Sequence, residues 1–280
     1  MSAGPSSCTE IDAAQAAQWL DPLTDLVIKA GQAVVAISHR NFQTTGKRDG
    51  TPVTEADLAA DGIIAEGLAR LFPSVPTLSE ERAAPPYPPF DQCFFCIDPL
   101  DGTREFVAGR NEFTVNLALV VHRRPLLGII GAPAMGVLWR GIVGRGAERI
   151  SIDAEGHRRE IGAIATRKPK DAAVPWQVAV SRSHGDAATE ALIAALPGGA
   201  IRETLGSAVK FGRVADGSID LYPRLAPTCE WDIAAGHAII EAAGGRITDR
   251  HGAALQFGNF ERNFLVPDFI ASGDPDAALV

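Results

Sequence analysis

The chain has 280 residues, 46% of them apolar and 21% charged, an ordinary globular composition that excludes wholesale disorder and supplies ample material for a packed core. Its net charge of −8 argues against a protein that grips nucleic acid by the backbone, because such binders displace counterions with clustered Lys and Arg. A polyphosphate ligand would need cations recruited locally.

The opening residues, MSAGPSSCTEIDAAQAAQ, lack a basic start and an apolar run, and no later stretch reaches about 18 uninterrupted apolar residues. The expectation is a chain with no integral membrane segment, cytoplasmic or peripheral at the inner membrane. From Ala13 to His39 the spacing of Leu20, Leu23, Leu26, Val27, Ala30, Val34 and Val35 predicts an amphipathic helix, bent near Pro22. Residues 46–51 read as a polar turn. Thr54 followed by Asp57, with Leu58, Ile63, Ile64 and Leu68 beyond, predicts a capped helix running to Leu71, ahead of Pro73. The run AAPPYPP over 83–89 is a proline-rich loop. Strands are predicted over 94–98, 113–121, 126–132 and 136–143. Beyond a polar stretch over 153–173, the order becomes strand 177–181, helix 186–196, helix 207–216, strand 219–222 and helix 232–243. That alternation reads as α/β and puts a lobe boundary near residue 160.

Four cysteines, Cys8, Cys93, Cys96 and Cys229, are too few and too scattered for a disulfide framework, so reduced thiols are expected. Cys93 and Cys96 form a C-x-x-C, but they sit in a strand-like apolar run without a second pair or a His cluster, which favours small buried side chains over a redox or zinc site.

The chemistry concentrates in acids. A strand that ends in Pro99 and is followed by Gly102 must turn sharply and point Asp98 and Asp101 into one space, where two unpaired carboxylates would repel. A hard divalent cation with oxygen ligands relieves that, and the Leu100 carbonyl is a candidate extra ligand; plain turn chemistry is the alternative. Glu80 and Glu81 follow an apolar segment and suit either a cleft or a solvated face. Asp232 opens the apolar helix Ile233-Ala234-Ala235-Gly236, and Asp57 stands at a capping-box position, so both suit capping as well as ligation.

Taken together, Asp57 in Val53-Thr54-Glu55-Ala56-Asp57, the pair Glu80-Glu81, Asp98-Pro99-Leu100-Asp101-Gly102-Thr103 and Trp231-Asp232-Ile233-Ala234-Ala235-Gly236 resemble the inositol monophosphatase superfamily of lithium-sensitive, magnesium-dependent phosphatases. Ser181-Arg182-Ser183-His184, Gly206-Ser207-Ala208-Val209-Lys210-Phe211 and Leu221-Tyr222-Pro223-Arg224 are similar to its branch of CysQ-type 3'(2'),5'-bisphosphate nucleotidases. The resemblance implies a layered αβαβα sandwich of the sugar-phosphatase type, with an α+β N-terminal lobe (1–160) carrying most metal ligands and an α/β C-terminal lobe (161–280) carrying substrate contacts and Asp232. It implies two or three Mg2+ ions, one held by Glu80, Asp98 and the Leu100 carbonyl and another by Asp98, Asp101 and Asp232. Glu80 and Thr103 would orient the attacking water, and Asp57 would polarise Thr103 or a further metal-bound water. Gly102, Thr103, Ser181, His184, Gly206, Lys210 and Arg224 are the implied substrate contacts. Gly206 would offer free N–H groups at a helix start, Lys210 a charge one turn on, and Arg224 a guanidinium suited to phosphate.

The activity so implied is hydrolysis of 3'-phosphoadenosine 5'-phosphate, or of its 5'-phosphosulfate, by metal-activated water in a monomer or homodimer. An inositol monophosphatase or fructose-1,6-bisphosphatase is the alternative within the family, and a non-catalytic nucleotide sensor the alternative outside it. A haloacid-dehalogenase phosphatase is disfavoured, because its paired acids stand two apart on one strand face and these stand three apart.

Overall fold

The structure is a computed structural model and describes residues 11–46, 52–85, 87–88, 90, 92–168, 174–183 and 185–277. Helix α1 (Ala13–Ser38) starts where Asp12 Oδ1 accepts the amides of Ala14 and Gln15, a cap worth about 1 kcal/mol. It continues through Pro22 and buries Leu23, Leu26, Val27, Ala30 and Val34. β1 (Thr44–Gly46) pairs antiparallel with β2 (Pro52–Thr54); most of the turn expected between them, 47–51, lies outside the described residues. α2 (Glu55–Leu71) opens on Thr54 with the reciprocal capping box that its spacing from Asp57 predicts.

β3 (Thr77–Ser79) leads through a 3-10 turn at Glu80–Arg82 and the proline-rich loop to β4 (Cys93–Asp101). After α3 (Thr103–Val107) come β5 (Thr114–Val121), β6 (Arg124–Ala132), β7 (Val137–Ile142), β8 (Gly146–Ile152) and β9 (Arg158–Ile164). These strands form a seven-stranded sheet in chain order, parallel at β3–β4 and antiparallel elsewhere. β4 to β7 fall where the apolar runs predicted strands. β9 falls inside the stretch expected to be irregular, because a mostly exposed strand such as Arg158-Arg159-Glu160 carries no apolar alternation.

β10 (Trp176–Ser181), α4 (Ala187–Ala194), β11 (Ala200–Leu205), α5 (Val209–Ala215), β12 (Leu221–Arg224), β13 (Thr228–Cys229), α6 (Glu230–Ala242), β14 (Arg246–Thr248), β15 (Leu265–Val266) and β16 (Phe269–Ser272) complete the chain. Five of these strands make a mixed sheet in the order β11-β10-β12-β16-β14, and β13 pairs with β15. α5 and α6 lie between the sheets: the core there joins Ala118, Ile130 and Trp139 of the first sheet to Phe211, Ile233 and Ile239 of the helices and to Tyr222 and Phe269 of the second. α1 and α2 cover the outer face of the large sheet, and Ile193 of α4 packs with Val178, Leu221 and Ile270 on that of the smaller one. The layers run αβαβα, as expected.

Side chains three apart on a strand point to opposite faces, which separates the C-x-x-C: Cys93 joins the core under α1 and α2, and Cys96 the core between the sheets. Cys96 and Cys229 are free. Cys93 is disulfide-bonded, which corrects the expectation of reduced thiols throughout. Cysteine count and spacing carry no information on which sulfurs the fold brings together.

Candidate active site

The C-terminal end of β4 organises the site. Asp98 pairs across the sheet with Asn116 and Asp101 with Thr114, so three steps along β4 span two along β5, and a bulge sits at Pro99-Leu100. On a regular strand Asp98 and Asp101 would face opposite ways; the extra residue returns both to one side. Gly102 then adopts φ 87°, a left-handed conformation open to glycine at no steric cost, and releases the chain into α3.

Two helix starts bring further carboxylates. Asp57 is buried, and its Oδ2 accepts the Thr54 amide and hydroxyl, both at 2.7 Å, while its Oδ1 accepts from the Thr103 hydroxyl at 3.2 Å. The same hydroxyl lies 3.1 Å from the Leu100 carbonyl. Asp232 repeats the pattern on α6: Oδ2 accepts the Cys229 amide at 3.0 Å and the Thr228 hydroxyl, and Oδ1 makes no hydrogen bond among the described residues. Each acid caps its helix with one oxygen and keeps the other for the site. Oxygens of Asp98, Asp101 and Asp232 lie within 4.8 Å of one another.

Burial sets the electrostatics. Asp98 is 1% exposed, and desolvation, then repulsion from Glu80, Asp101, Asp232 and Asp57, pushes its carboxyl well above the usual range. Desolvation and then Asp232 raise Asp101 to about 7, opposed by Lys210 and Arg224. Burial likewise raises Asp57. Carboxylates that cannot all stay ionised unaided, with every donor an oxygen, are the ligand set a hard divalent cation suits. Glu80, at the start of the 3-10 turn, lines the same cleft as Asp98, Leu100, Asp101 and Asp232.

That cleft, of about 250 Å3, is also lined by Ser181, Ser183, Gly206, Lys210, Tyr222 and Arg224. Lys210 is buried; its ammonium donates to the Ser207 carbonyl at 2.5 Å, stands 5.1 Å from the centre of the Tyr222 ring, and is brought down to about 8, chiefly by desolvation. Arg224 donates to the Pro227 carbonyl at 3.2 Å, and its Nε is buried without a hydrogen-bond partner among the described residues. The structure thus brings Glu80, Asp98, Leu100, Asp101, Gly102, Thr103, Ser181, Gly206, Lys210, Arg224 and Asp232 to one cleft, with Asp57 behind Thr103. His184 lies outside the described residues.

Gly206 behaves differently from expectation. It precedes α5 by three residues, and its amide donates to Glu112 Oε2 at 2.8 Å, so no free N–H awaits an anion there. A Cβ at Gly206 would stand 2.8 Å from Glu105 Cγ and 2.9 Å from the Glu112 carbonyl, which makes it a close-approach position. The sequence reading also passed over Glu105, a buried acid that accepts the Ser183 hydroxyl at 3.0 Å, and Glu112, which also binds Arg182 at 2.6 Å. Position alone, two residues beyond Thr103, could have flagged Glu105. A larger cavity, of about 660 Å3 and lined by α1 and the 106–113 segment, holds none of the acids of the cleft.

The model of the inositol monophosphatase family matches residues 15–278. The 3'(2'),5'-bisphosphate nucleotidase CysQ of Escherichia coli K12 is 38% identical over 260 residues, 90% of this chain and 99% of that relative. The CysQ of Buchnera aphidicola is 32% identical, with 91% and 94% covered. Among solved structures, CysQ from Bacteroides thetaiotaomicron, a bacterial member of the inositol monophosphatase family, superposes with a TM-score of 0.78 at 30% identity, covering 93% of this chain and 98% of that one. An inositol monophosphatase from Anabaena has a TM-score of 0.73 at 24% identity, with 93% and 92% covered, a likeness of fold alone.

Proposed function

The chain belongs to the inositol monophosphatase family, and on that premise we propose that it is a 3'(2'),5'-bisphosphate nucleotidase, releasing phosphate and AMP from 3'-phosphoadenosine 5'-phosphate. It also takes the 5'-phosphosulfate analogue, yielding adenosine 5'-phosphosulfate. The observation that carries the reading is the polarity of one small cleft. Oxygens of Asp98, Asp101 and Asp232 converge on its floor, and Lys210 and Arg224 stand across from them, an arrangement suited to a substrate with two separated anionic groups. An inositol or fructose phosphate also presents hydroxyls, for which a guanidinium at Arg224 is a poorer match than a carboxylate.

Family enzymes use Mg2+, and in this chain Glu80, Asp98, the Leu100 carbonyl, Asp101 and Asp232 would hold two or three ions. Bound there, such ions would neutralise phosphate charge and acidify water. The side chains do the rest. Thr103 has no acidity of its own at neutral pH, so its proton points to Asp57 Oδ1 or to the Leu100 carbonyl, leaving its oxygen free to accept a hydrogen from the attacking water. Glu80 fixes the second hydrogen of that water. The Gly102 and Thr103 amides, at the start of α3, face the transferring phosphate, while Lys210, Arg224 and Ser181 hold the rest of the nucleotide.

The same proposal assigns a lobe boundary near residue 160, supported by the change of sheet between Ile164 and Trp176. The working unit is a monomer or homodimer in the cytoplasm. No helix among the described residues is long and apolar enough to cross a membrane.

Steady-state kinetics with Mg2+ on 3'-phosphoadenosine 5'-phosphate, inositol 1-phosphate and fructose 1,6-bisphosphate test the reading. The nucleotide should lead in kcat/KM by about a hundredfold. A lead for either sugar phosphate overturns the substrate, and tight nucleotide binding without turnover overturns the enzyme in favour of a sensor.

A further inference from the structure

The large sheet carries two polar residues that nothing above explains. Asn116 is 1% exposed, and among the described residues neither its amide nitrogen nor its amide oxygen has a hydrogen-bond partner of ordinary geometry. Thr114, two residues earlier on β5, is fully buried, and its hydroxyl is likewise without one. Buried polar groups are almost always satisfied, so three orphaned atoms on two neighbouring residues of one strand ask for a cause. Further along the same face β5 presents Ala118 and Val120 to the core between the sheets, and across from Asn116 on β6 stands Ile130. Nothing in that apolar packing calls for an amide or a hydroxyl.

Their register supplies the cause. Asn116 lies directly opposite Asp98, and Thr114 directly opposite Asp101, on the two sides of the β4 bulge. Residues directly opposite in an antiparallel pair share a face at the shortest cross-strand distance. The two side chains therefore stand beside the two central acids of the site, and the Asn116 amide already reaches toward Asp101 closely enough to hold its carboxyl down.

We propose that Asn116 and Thr114 are positioning residues for the cation site: from β5 they orient the Asp98 and Asp101 carboxylates, closing their hydrogen bonds to these acids when the acids are drawn onto a divalent ion. The inference rests on the metal-site reading given above. Its physical content is that the polar groups are kept for the ion and against the fold. Exchanging an unsatisfied buried polar group for an apolar one of like shape is neutral or stabilising to folding, whereas removing a partner that orients a metal ligand weakens binding by roughly ten- to a hundredfold.

The test uses Asn116→Leu and Thr114→Val in the full chain, with Mn2+ alone as the probe. Titration calorimetry without substrate gives the Mn2+ dissociation constant, and thermal unfolding without metal gives the melting temperature. The expected result is a dissociation constant raised about tenfold or more in each variant, with a metal-free melting temperature equal to or above that of the unmodified chain. Should Asn116→Leu fail to fold, Thr114→Val is read in the same way. Asp98→Asn separates the two layers of the argument. If the unmodified chain takes up no Mn2+, or Asp98→Asn binds it equally well, the metal-site reading falls and takes this inference with it. If Asp98→Asn abolishes binding while Asn116→Leu and Thr114→Val bind like the unmodified chain, this inference alone is overturned.

Discussion

On the floor of the cleft, Asp98 and Asp101 are set by a bulge within one strand, and Asp57 and Asp232 each by a capping box closed within four residues. Across from them, Lys210 comes from a seven-residue helix that follows Ser207 at φ 44°, Arg224 from the end of another strand, and Ser183 is held by Glu105 from the first sheet's side of the molecule. The floor is built from local geometry, each carboxylate fixed by its own near neighbours. The far wall mixes the two: Lys210 and Arg224 donate to carbonyls three residues away, whereas Ser183 and Gly206 are held by Glu105 and Glu112 from distant parts of the chain. A floor of crowded, buried acids costs stability in the absence of a cation, whereas the wall's cations are partly compensated by carbonyls and by the floor itself.

The largest effect should come from the floor. Asp98→Asn removes one of several mutually repelling buried carboxylates, so kcat should fall at least roughly a thousandfold, about 4 kcal/mol of transition-state stabilisation. The metal-free melting temperature should hold or rise. A variant that lost activity and stability together would mean that Asp98 is a structural residue, and the contrast drawn here would collapse. Thr103→Val comes next: the valine keeps the shape and loses the hydroxyl that links Asp57 to the cleft, and kcat should drop about a hundredfold with KM little changed. A change confined to KM would move Thr103 from orienting water to binding substrate.

The wall should respond in KM. Arg224→Met keeps much of the aliphatic stem and deletes the charge, and should raise KM for 3'-phosphoadenosine 5'-phosphate about thirtyfold, near 2 kcal/mol, as expected for a hydrogen bond to a charged group. With adenosine 3'-phosphate, which lacks the second anion, the same variant should change KM by no more than roughly threefold. Equal losses on both substrates would show that Arg224 shapes the wall without reading the second phosphate.

The contrast also governs how much the amino-acid sequence could reveal. Thr54 and Asp57, or Asp98-Pro99-Leu100-Asp101-Gly102, carry their geometry in their spacing, and the predicted cap and turn both form. The choice between capping and a site role for Asp57 and Asp232 could not be made from spacing, because a carboxylate has two oxygens and each residue uses one for the cap. Gly206 shows the opposite case. Its amide is engaged by Glu112, 94 residues away, and no pattern around Gly206 announces that partner. The same limit hid β9 and β11, whose exposed faces lack apolar alternation, and the opposition of Asn116 to Asp98, which exists only once β4 and β5 are paired.

The smallest effect concerns what lies behind the floor. His237 stands on α6 five residues beyond Asp232, is fully buried, and neither ring nitrogen has a hydrogen-bond partner among the described residues. Phe257 meets the ring edge-on at 5.5 Å, Glu241 Oε1 lies 3.8 Å from Nδ1, and Arg124 of β6 holds Glu241 at 3.0 Å. Desolvation first, then Arg124, brings the imidazole down to about 3. The folded chain therefore keeps His237 neutral while the unfolded chain protonates it near pH 6.5. The unfolded state binds the extra proton between those two values, so the stability His237 permits is full above about pH 6.5 and is lost as pH falls toward 3. Between pH 7.5 and 5.5, denaturant unfolding of the unmodified chain should lose about 1 kcal/mol more than that of His237→Leu, since other titrating groups cancel in the difference. Equal losses would mean that His237 finds a proton-accepting partner in the folded state. Glu241, whose Oε1 lies 3.8 Å from Nδ1, is the group placed to be that partner.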